Sequence, residues 1–335
     1  MTDSTNKRLL DLLRGFAGRR IAVVGDLVAD EFIYGRVERV SREAPVLILR
    51  YDATIVVPGG AGNAAANVAA LGGEAGLAAL AGRDDVGRRL TKTLPSRVSR
   101  TALVRPGGYA TPVKTRILAG GIHSAKQQVV RIDRVADKAY DDRTRLRFQT
   151  AARRAVAAAD AVIISDYGSG LVTPALVDDI RRRARRGVPF LLDSRYDTLK
   201  FRGLTACTPN ESEVEQMLGV TIGDDPRALE GAGRLLLTRT GMSAVVVTRG
   251  SRGMAIFEPG RPTTHLPIFG SDEIADVTGA GDTVIATLTL ALAAGADVVE
   301  AARLANYAGG LVVMKRGTAT VSPAELRRAI RSEAR

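Results

Sequence analysis

The sequence predicts an α/β fold: a doubly wound, mostly parallel sheet flanked by helices, with a small β-sheet lid. Three observations predict it. Short unbroken apolar runs, such as Ile21–Val24 and Val162–Ile164, alternate with helical patterns, as strands covered on both faces do. The runs that begin at Ile21, Ala161, Pro189 and Thr205 lead into Asp26, Asp166, Asp193 and Asn210. Ligand-facing groups of an open parallel sheet gather at that edge. Residues 31–57 break the rhythm with short β pieces joined by polar turns, which suits a separate lid.

The elements follow in order. Leu9, Leu10, Leu12, Leu13 and Phe16 form the apolar side of an N-terminal helix. Ile21–Asp26 is a buried strand, and no Gly-x-Gly-x-x-Gly follows it to bind a dinucleotide. Phe32–Tyr34, Val46–Leu49 and Ile55–Val57 are the first lid pieces. Gly59 and Gly60 let another group approach the backbone, and Asn63 opens an Ala-rich helix over 64–71. Asn63 could cap that helix or point its amide at a polar ligand. Leu77–Ala81 is the next strand, and 111–117 with 127–133 alternate as a hairpin of the lid. Lys114, Arg116 and Arg131 lie along it, either to hold an anionic substrate or to guard an exposed edge. Helices over 145–159 and 174–186 separate the strands at 161–166 and 189–193, and Ala244–Val247 is a further strand. Asn210 with Glu213 has the spacing of a capping box. A magnesium role for Glu213 is the functional alternative.

Composition narrows the function. Apolar residues make up 45% of 335, aromatics 4% with no Trp, and Gly numbers 35. Ala, Val, Leu and Ile must therefore build the core, around many tight turns. The one cysteine, Cys207, excludes an intrachain disulfide, and His123 and His265 sit in no metal-ligand spacing. The net charge of +12 raises nucleic acid. However, the basic residues are scattered, and the run Arg181–Arg186 lies in a helical pattern without interleaved aromatics. A solvated face, or a taste for phosphorylated ligands, is the better reading. The first 20 residues carry Asp3 and Asp11 and no sustained apolar stretch, unlike a signal peptide. The apolar run after Asp282 is too short to span a bilayer. One cytoplasmic domain over 1–335 is expected, without nucleic-acid or membrane partners.

The chemistry centres on Asp276–Asp282, Asp-Val-Thr-Gly-Ala-Gly-Asp, at the mouth of a long apolar helix. Gly279, Ala280 and Gly281 leave backbone N–H groups uncovered at a helix N-terminus, where the dipole favours an anion. Asp282 sits in the same turn. An anion pocket beside a carboxylate base suits phosphoryl transfer to a hydroxyl. A plain helix start capped by Thr278 is the simpler alternative.

Gly59-Gly60-x-x-Asn63, Asn210-x-x-Glu213 and Asp276–Asp282, in this order, resemble the ribokinase-like (PfkB) carbohydrate kinases. The resemblance covers nearly the whole chain and implies an ATP-dependent sugar kinase. Asp282 is then the base, and Gly279, Ala280 and Gly281 the anion hole. Asn210 and Glu213 position Mg-ATP, with Glu213 reaching Mg²⁺ through water. Asp26, Asp30, Gly60 and Asn63 contact the sugar. Thr248, Gly250 and Gly253 cradle the nucleotide, and Asn306 lines the adenine pocket. Asp276 and Thr278 lie near a monovalent cation such as K⁺. Relatives also dimerise through the lid, which implies a homodimer here.

Within the family, Gly35–Val46, Lys114-Thr115-Arg116, Gln127–Asp133, Ser165–Gly168 and Gly317–Pro323 are similar to heptose 7-phosphate kinases. That likeness implies the C1 hydroxyl of D-glycero-D-manno-heptose 7-phosphate as acceptor. Two positions depart from it. Ser169 stands where that group usually has Lys, and Asp193-Ser194-Arg195 where it tends to have Asp-Pro-Lys. The 335 residues leave no room for the nucleotidyltransferase half of bifunctional relatives. The alternatives are a kinase of another sugar, sugar phosphate or nucleoside, or a non-catalytic sugar- or nucleotide-binding protein.

Overall fold

The computed structural model describes residues 3–120, 126–135, 141–270, 276–315 and 317–332. The amphipathic N-terminal stretch is α1 (Asp3–Arg14), and the first apolar run is β1 (Arg20–Gly25). The lid begins at once. β2 (Leu27–Val40) and β3 (Leu47–Gly60) are two long antiparallel strands with bulges at Tyr34/Gly35 and Val37/Arg39. The short pieces expected from sequence are thus segments of continuous ribbon. Polar residues such as Arg36, Glu38 and Arg39 interrupt the apolar pattern because the outer ribbon stands in solvent.

From β3 the chain passes directly into α2 (Ala61–Ala70), then β4 (Glu74–Leu80) and α3 (Asp85–Thr93). Two short strands, β5 (Val98–Ser99) and β6 (Leu103–Val104), precede the second lid ribbon, β7 (Val113–Gly120) and β8 (Gln127–Arg134). Residues 121–125 of the expected lid lie outside the described residues. The remaining elements alternate: α4 (Asp142–Ala157), β9 (Ala161–Asp166), α5 (Pro174–Arg183), β10 (Phe190–Ser194), β11 (Ala206–Cys207), α6 (Glu211–Leu218), α7 (Pro226–Thr240), and β12 (Ala244–Thr248). β13 (Met254–Phe257), β14 (Thr264–Leu266), α8 (Ala280–Ala293), α9 (Val298–Val313) and α10 (Pro323–Ser332) complete it.

Local chemistry sets the helix starts. Asp84, Asp141 and Thr173 each accept a backbone N–H of the first turn, and Pro174 pre-sets the backbone behind Thr173. The capping boxes Asn210/Glu213 and Asp297/Glu300 form both of their hydrogen bonds.

The main sheet runs β14-β13-β12-β11-β10-β9-β1-β4-β5, with β6 also on β4. Its strands are parallel from β12 to β5, while β13 and β14 add antiparallel. Period two divides each central strand between two cores. Ile21, Val23, Ile163 and Leu191 pack with α1, α2, α8 and α9 on one face. Val24, Val162, Ile164 and Leu192 pack with α4, α5 and α7 on the other. The lid is a second sheet in the order β3-β2-β7-β8. β13, β14, α9 and α10 are missing from the elements expected above. Thr264-His265-Leu266 is too short to show a period.

Ile163 is fully buried at the centre of β9. Ile163→Ala is expected to cost about 2–5 kcal/mol of stability, read as a lowered midpoint in denaturant unfolding.

Candidate active site

Strand register assembles the site. Gly25 and Asp193 both pair with Ser165, and Ser194 pairs with Asp166. The ends of β1, β9 and β10 therefore lie side by side, and the N-terminus of α8 meets that edge. Asp282, in the first turn of α8, is 4% exposed. Asn63, in the first turn of α2, donates its Nδ2 to Asp282 Oδ2 at 2.7 Å. The Tyr167 hydroxyl donates to Oδ1 at 3.3 Å. Gly279 enters α8 with φ 79°, and a Cβ there would lie 2.5 Å from Asn63 Nδ2. Only glycine permits both the backbone turn and this close approach.

Burial pushes the Asp282 carboxyl up to about 7, and the charge of Asp30 adds to the rise. The Asn63 and Tyr167 hydrogen bonds and the Lys114 charge oppose it. A carboxylate poised near neutrality is suited to take a hydroxyl proton.

Asp282 faces a cleft of about 520 Å³ between sheet edge, lid and α8. Gly279, Ala280, Gly281 and Thr278 form its floor, and Asp30, Gly60, Lys114 and Arg116 its lid side. Asn210, Glu213, Thr248, Gly250, Gly253 and Asn306 line the other end. Ala280 N–H bonds back to Val277 O at 3.2 Å. The N–H groups of Gly279, Gly281 and Asp282 meet no backbone acceptor among the described residues, so each is open to an anion in this turn. Thr278 does not cap α8. Its N–H donates to Asp276 Oδ1 at 2.8 Å, and Gly279 holds the cap position.

Asn63, Asp26 and Asp276 do not line this cleft, while Asp30, Asn306, Asn210 and Glu213 do. Asn63 is buried and gives its amide to Asp282 rather than to a cap. Asp26 accepts the N–H of Tyr167 and both donors of Ser169, so it shapes the turn after β9. Asp276 braces a loop, with Oδ2 accepting Gly317 N–H at 3.0 Å. Beside it, Thr318 Oγ1 is buried without a partner among the described residues. Asp30 pairs with Arg116. Asn306 Nδ2 donates to Pro267 O at 2.7 Å. Asn210 and Glu213 do form the capping box, yet both also face the cleft.

Tyr167, Asp193, Arg195 and Thr208 all line the cleft; the sequence placed Asp193 among the strand-end acids and Tyr167 and Arg195 in the heptose-kinase comparison, but gave none of the four a site role. Tyr167 and Asp193 stand at ends of apolar runs, the signal that could have found them. Burial, then Asp282, Glu213 and Asp166, raise the Asp193 carboxyl well above its ordinary range. Burial likewise raises Glu213. Carboxylates repelling one another in a dry cleft fit a divalent cation. Thr208 Oγ1 is buried there without a partner.

A base at a helix N-terminus, in a cleft at the switch edge of a parallel sheet under a β lid, defines an ATP-dependent carbohydrate kinase. The chain belongs to the pfkB family of carbohydrate kinases, whose model matches residues 19–325. It is 40% identical over 321 residues to the bifunctional protein HldE of Caulobacter vibrioides, covering 95% of this chain and 65% of that one. HldE of Methylococcus capsulatus is 40% identical over 324 residues, covering 96% and 66%. The chain thus spans about two thirds of the length of these relatives. Among solved structures, Arabidopsis thaliana ribokinase complexed with ribose and ATP superposes with TM-score 0.71 at 19% identity, covering 94% and 99% of the two chains. Escherichia coli phosphofructokinase-2 in complex with potassium gives 0.72 at 18%, covering 95% and 100%.

Asp282→Asn keeps the shape of the site but removes the base. Turnover should fall by about 10²–10⁴-fold, with nucleotide binding retained by calorimetry. In the unaltered enzyme, kcat/KM should decline as pH drops through about 7, because only the ionised carboxylate accepts a proton.

Proposed function

We propose that this kinase transfers the ATP γ-phosphoryl group to the C1 hydroxyl of a sugar phosphate, D-glycero-D-manno-heptose 7-phosphate. The observation that carries the reading is a second chamber of about 180 Å³ beside the cleft, which shares Val28, Lys114, Arg131, Tyr167 and Arg195 with it. Lys114 and Arg195 form no ion pair among the described residues. Lys114 Nζ lies 4.7 Å from the centre of the Tyr167 ring, whose hydroxyl reaches Asp282. Burial lowers the Lys114 pKa, and a bound dianion would raise it again. An acceptor with its hydroxyl at Asp282 can therefore place a remote phosphate between Lys114 and Arg195. Arg131 is held in line by Asp133. The heptose-kinase-like stretches of the sequence support a seven-carbon acceptor.

The residues divide the work. Asp282 takes the hydroxyl proton, and the free N–H groups of Gly281 and Asp282 meet the charge that develops on the phosphoryl oxygens. Thr208, Thr248, Gly250, Gly253 and Asn306 form the nucleotide end. A bound Mg²⁺ would supply positive charge to offset that of the phosphate oxygens. Glu213, through water, and Asp193 are the residues to hold it. Thr318 Oγ1, with Asp276 and Thr278, suits a K⁺ ion. An enzyme that consumes ATP belongs in the cytoplasm.

The lid supports a homodimer. Val40, Val46, Leu47, Tyr51, Ile55 and Ile132 are exposed on it, Tyr51 by 64%. Apolar side chains clustered on one sheet mark an interaction surface. Light scattering should give twice the chain mass, and Tyr51→Lys with Leu47→Lys should shift it toward the monomer.

Phosphate-acceptor recognition is tested with ADP release across D-glycero-D-manno-heptose 7-phosphate, fructose 6-phosphate, fructose, ribose and adenosine. The heptose phosphate should dominate. Lys114→Met and Arg195→Met should each raise its KM by about tenfold or more, with little change in the KM of ATP. Preference for an unphosphorylated sugar would overturn the reading.

A further inference from the structure

We infer that Asn67 is a positioning residue for phosphoryl transfer: it fixes the N–H side of the Asn63 amide toward Asp282, and Thr283 fixes Asn67 in turn. The inference rests on the reading of Asp282 as the base.

The hydrogen bonds determine both amides without ambiguity. Asn67 Nδ2 lies 3.0 Å from the backbone oxygen of Asn63, an atom that only accepts. That atom of Asn67 must therefore carry the protons. It also lies 3.1 Å from Asn63 Oδ1, which must accept. The other end of the Asn63 amide is then the donor to Asp282, at 2.7 Å. Asn67 Oδ1 accepts the Thr283 hydroxyl at 2.9 Å. Thr283 follows Asp282 in α8, so the chain of bonds closes on the base it began from.

This ring is buried in otherwise apolar surroundings. Asn67 and Thr283 are 0% exposed, and Ala64, Ala65, Val68, Val284 and Ile285 pack between the same two helices. Polar groups kept in such a place must be satisfied by one another. Without Asn67, the Asn63 amide loses the donor that pins its oxygen, and only Asp282 and the Gly279 backbone oxygen, at 3.5 Å, still hold its orientation. Turned over, its oxygen would meet the carboxylate, and the base would lose a donor that favours its ionised form. The groups that face Asp282 are otherwise unchanged: Asp30 and Lys114 from the lid, Tyr167 after β9, and Asp193 on β10.

The test is the pH profile of kcat/KM for the full chain, with Mg-ATP and D-glycero-D-manno-heptose 7-phosphate. Asn67→Leu should move the acid limb up by about one unit, the scale of one hydrogen bond to a charged group, and lower kcat/KM at pH 7 by roughly fivefold. The KM of ATP should stay within about twofold, since the nucleotide end is untouched. Thr283→Val keeps the shape and removes one link further out. It should move the limb in the same direction by less, and it serves if Asn67→Leu does not fold. In an Asn63→Ala background, Asn67→Leu should add nothing to the shift. An acid limb that stays in place in both single variants overturns the inference, since damaged packing alone lowers the active fraction without moving a titration. Asp282→Asn separates the two readings. If it retains turnover, the base assignment fails. If it abolishes turnover while the limb is unmoved in the Asn67 and Thr283 variants, only the positioning role fails.

Discussion

The hydrogen bond from Asn63 to Asp282 joins the two helices that carry this site. A carboxylate taken out of water loses stabilisation worth several kcal/mol unless fixed dipoles replace it. Asp282 receives one such dipole from α2 and a weaker one from Tyr167. The result is a carboxyl with raised proton affinity that still ionises near neutrality. The surrounding fold serves this balance. α2 and α8 pack on the same face of the sheet, and the small residues Ala64 and Ala65 let them pack closely. Gly279 lets the backbone come within reach of the Asn63 amide.

The sheet supplies the second constraint. Parallel pairing places the ends of β1, β9 and β10 at one edge, so Asp26, Asp166 and Asp193 converge although they are far apart in sequence. They are not equivalent. Asp26 and Asp166 spend their oxygens on the turns around Tyr167–Ser169 and Ser194. Asp166 still lines the cleft, as Asp193 does. Lys114 and Arg195 face the same space from opposite walls, one from the lid and one from the turn after β10. The cleft thus carries Asp193 and Glu213 toward one end and Lys114 and Arg195 toward the chamber beside it.

Much of this was legible in the sequence. The buried strands, their polar C-terminal ends and the Gly-Ala-Gly turn were readable because each is a local pattern. The capping box at Asn210 was readable for the same reason. The lid was seen in pieces, since bulges and exposed charges break its period. The partner of Asn63 could not be read, because capping and ligand contact have the same sequence signature and the true acceptor is 219 residues away. Asn67 gave no signal at all. A polar residue in an Ala-rich helix looks like a solvated position until α8 is packed against it. Tyr167 and Arg195 escaped because their neighbours come from other strands.

The first ribbon of the lid, β2 and β3, is joined to the main body without connecting loops. One residue, Asp26, separates β1 from β2, and none separates β3 from α2. The inner ends of the ribbon are therefore part of the site, with Asp30 at one strand and Gly60 at the other. The outer ends, between Val40 and Leu47, touch none of the chemistry. The ribbon works as a lever whose fulcrum is the catalytic edge. Its length and tip can drift among homologues, or be grafted in the laboratory, while its first few residues cannot change without altering the base.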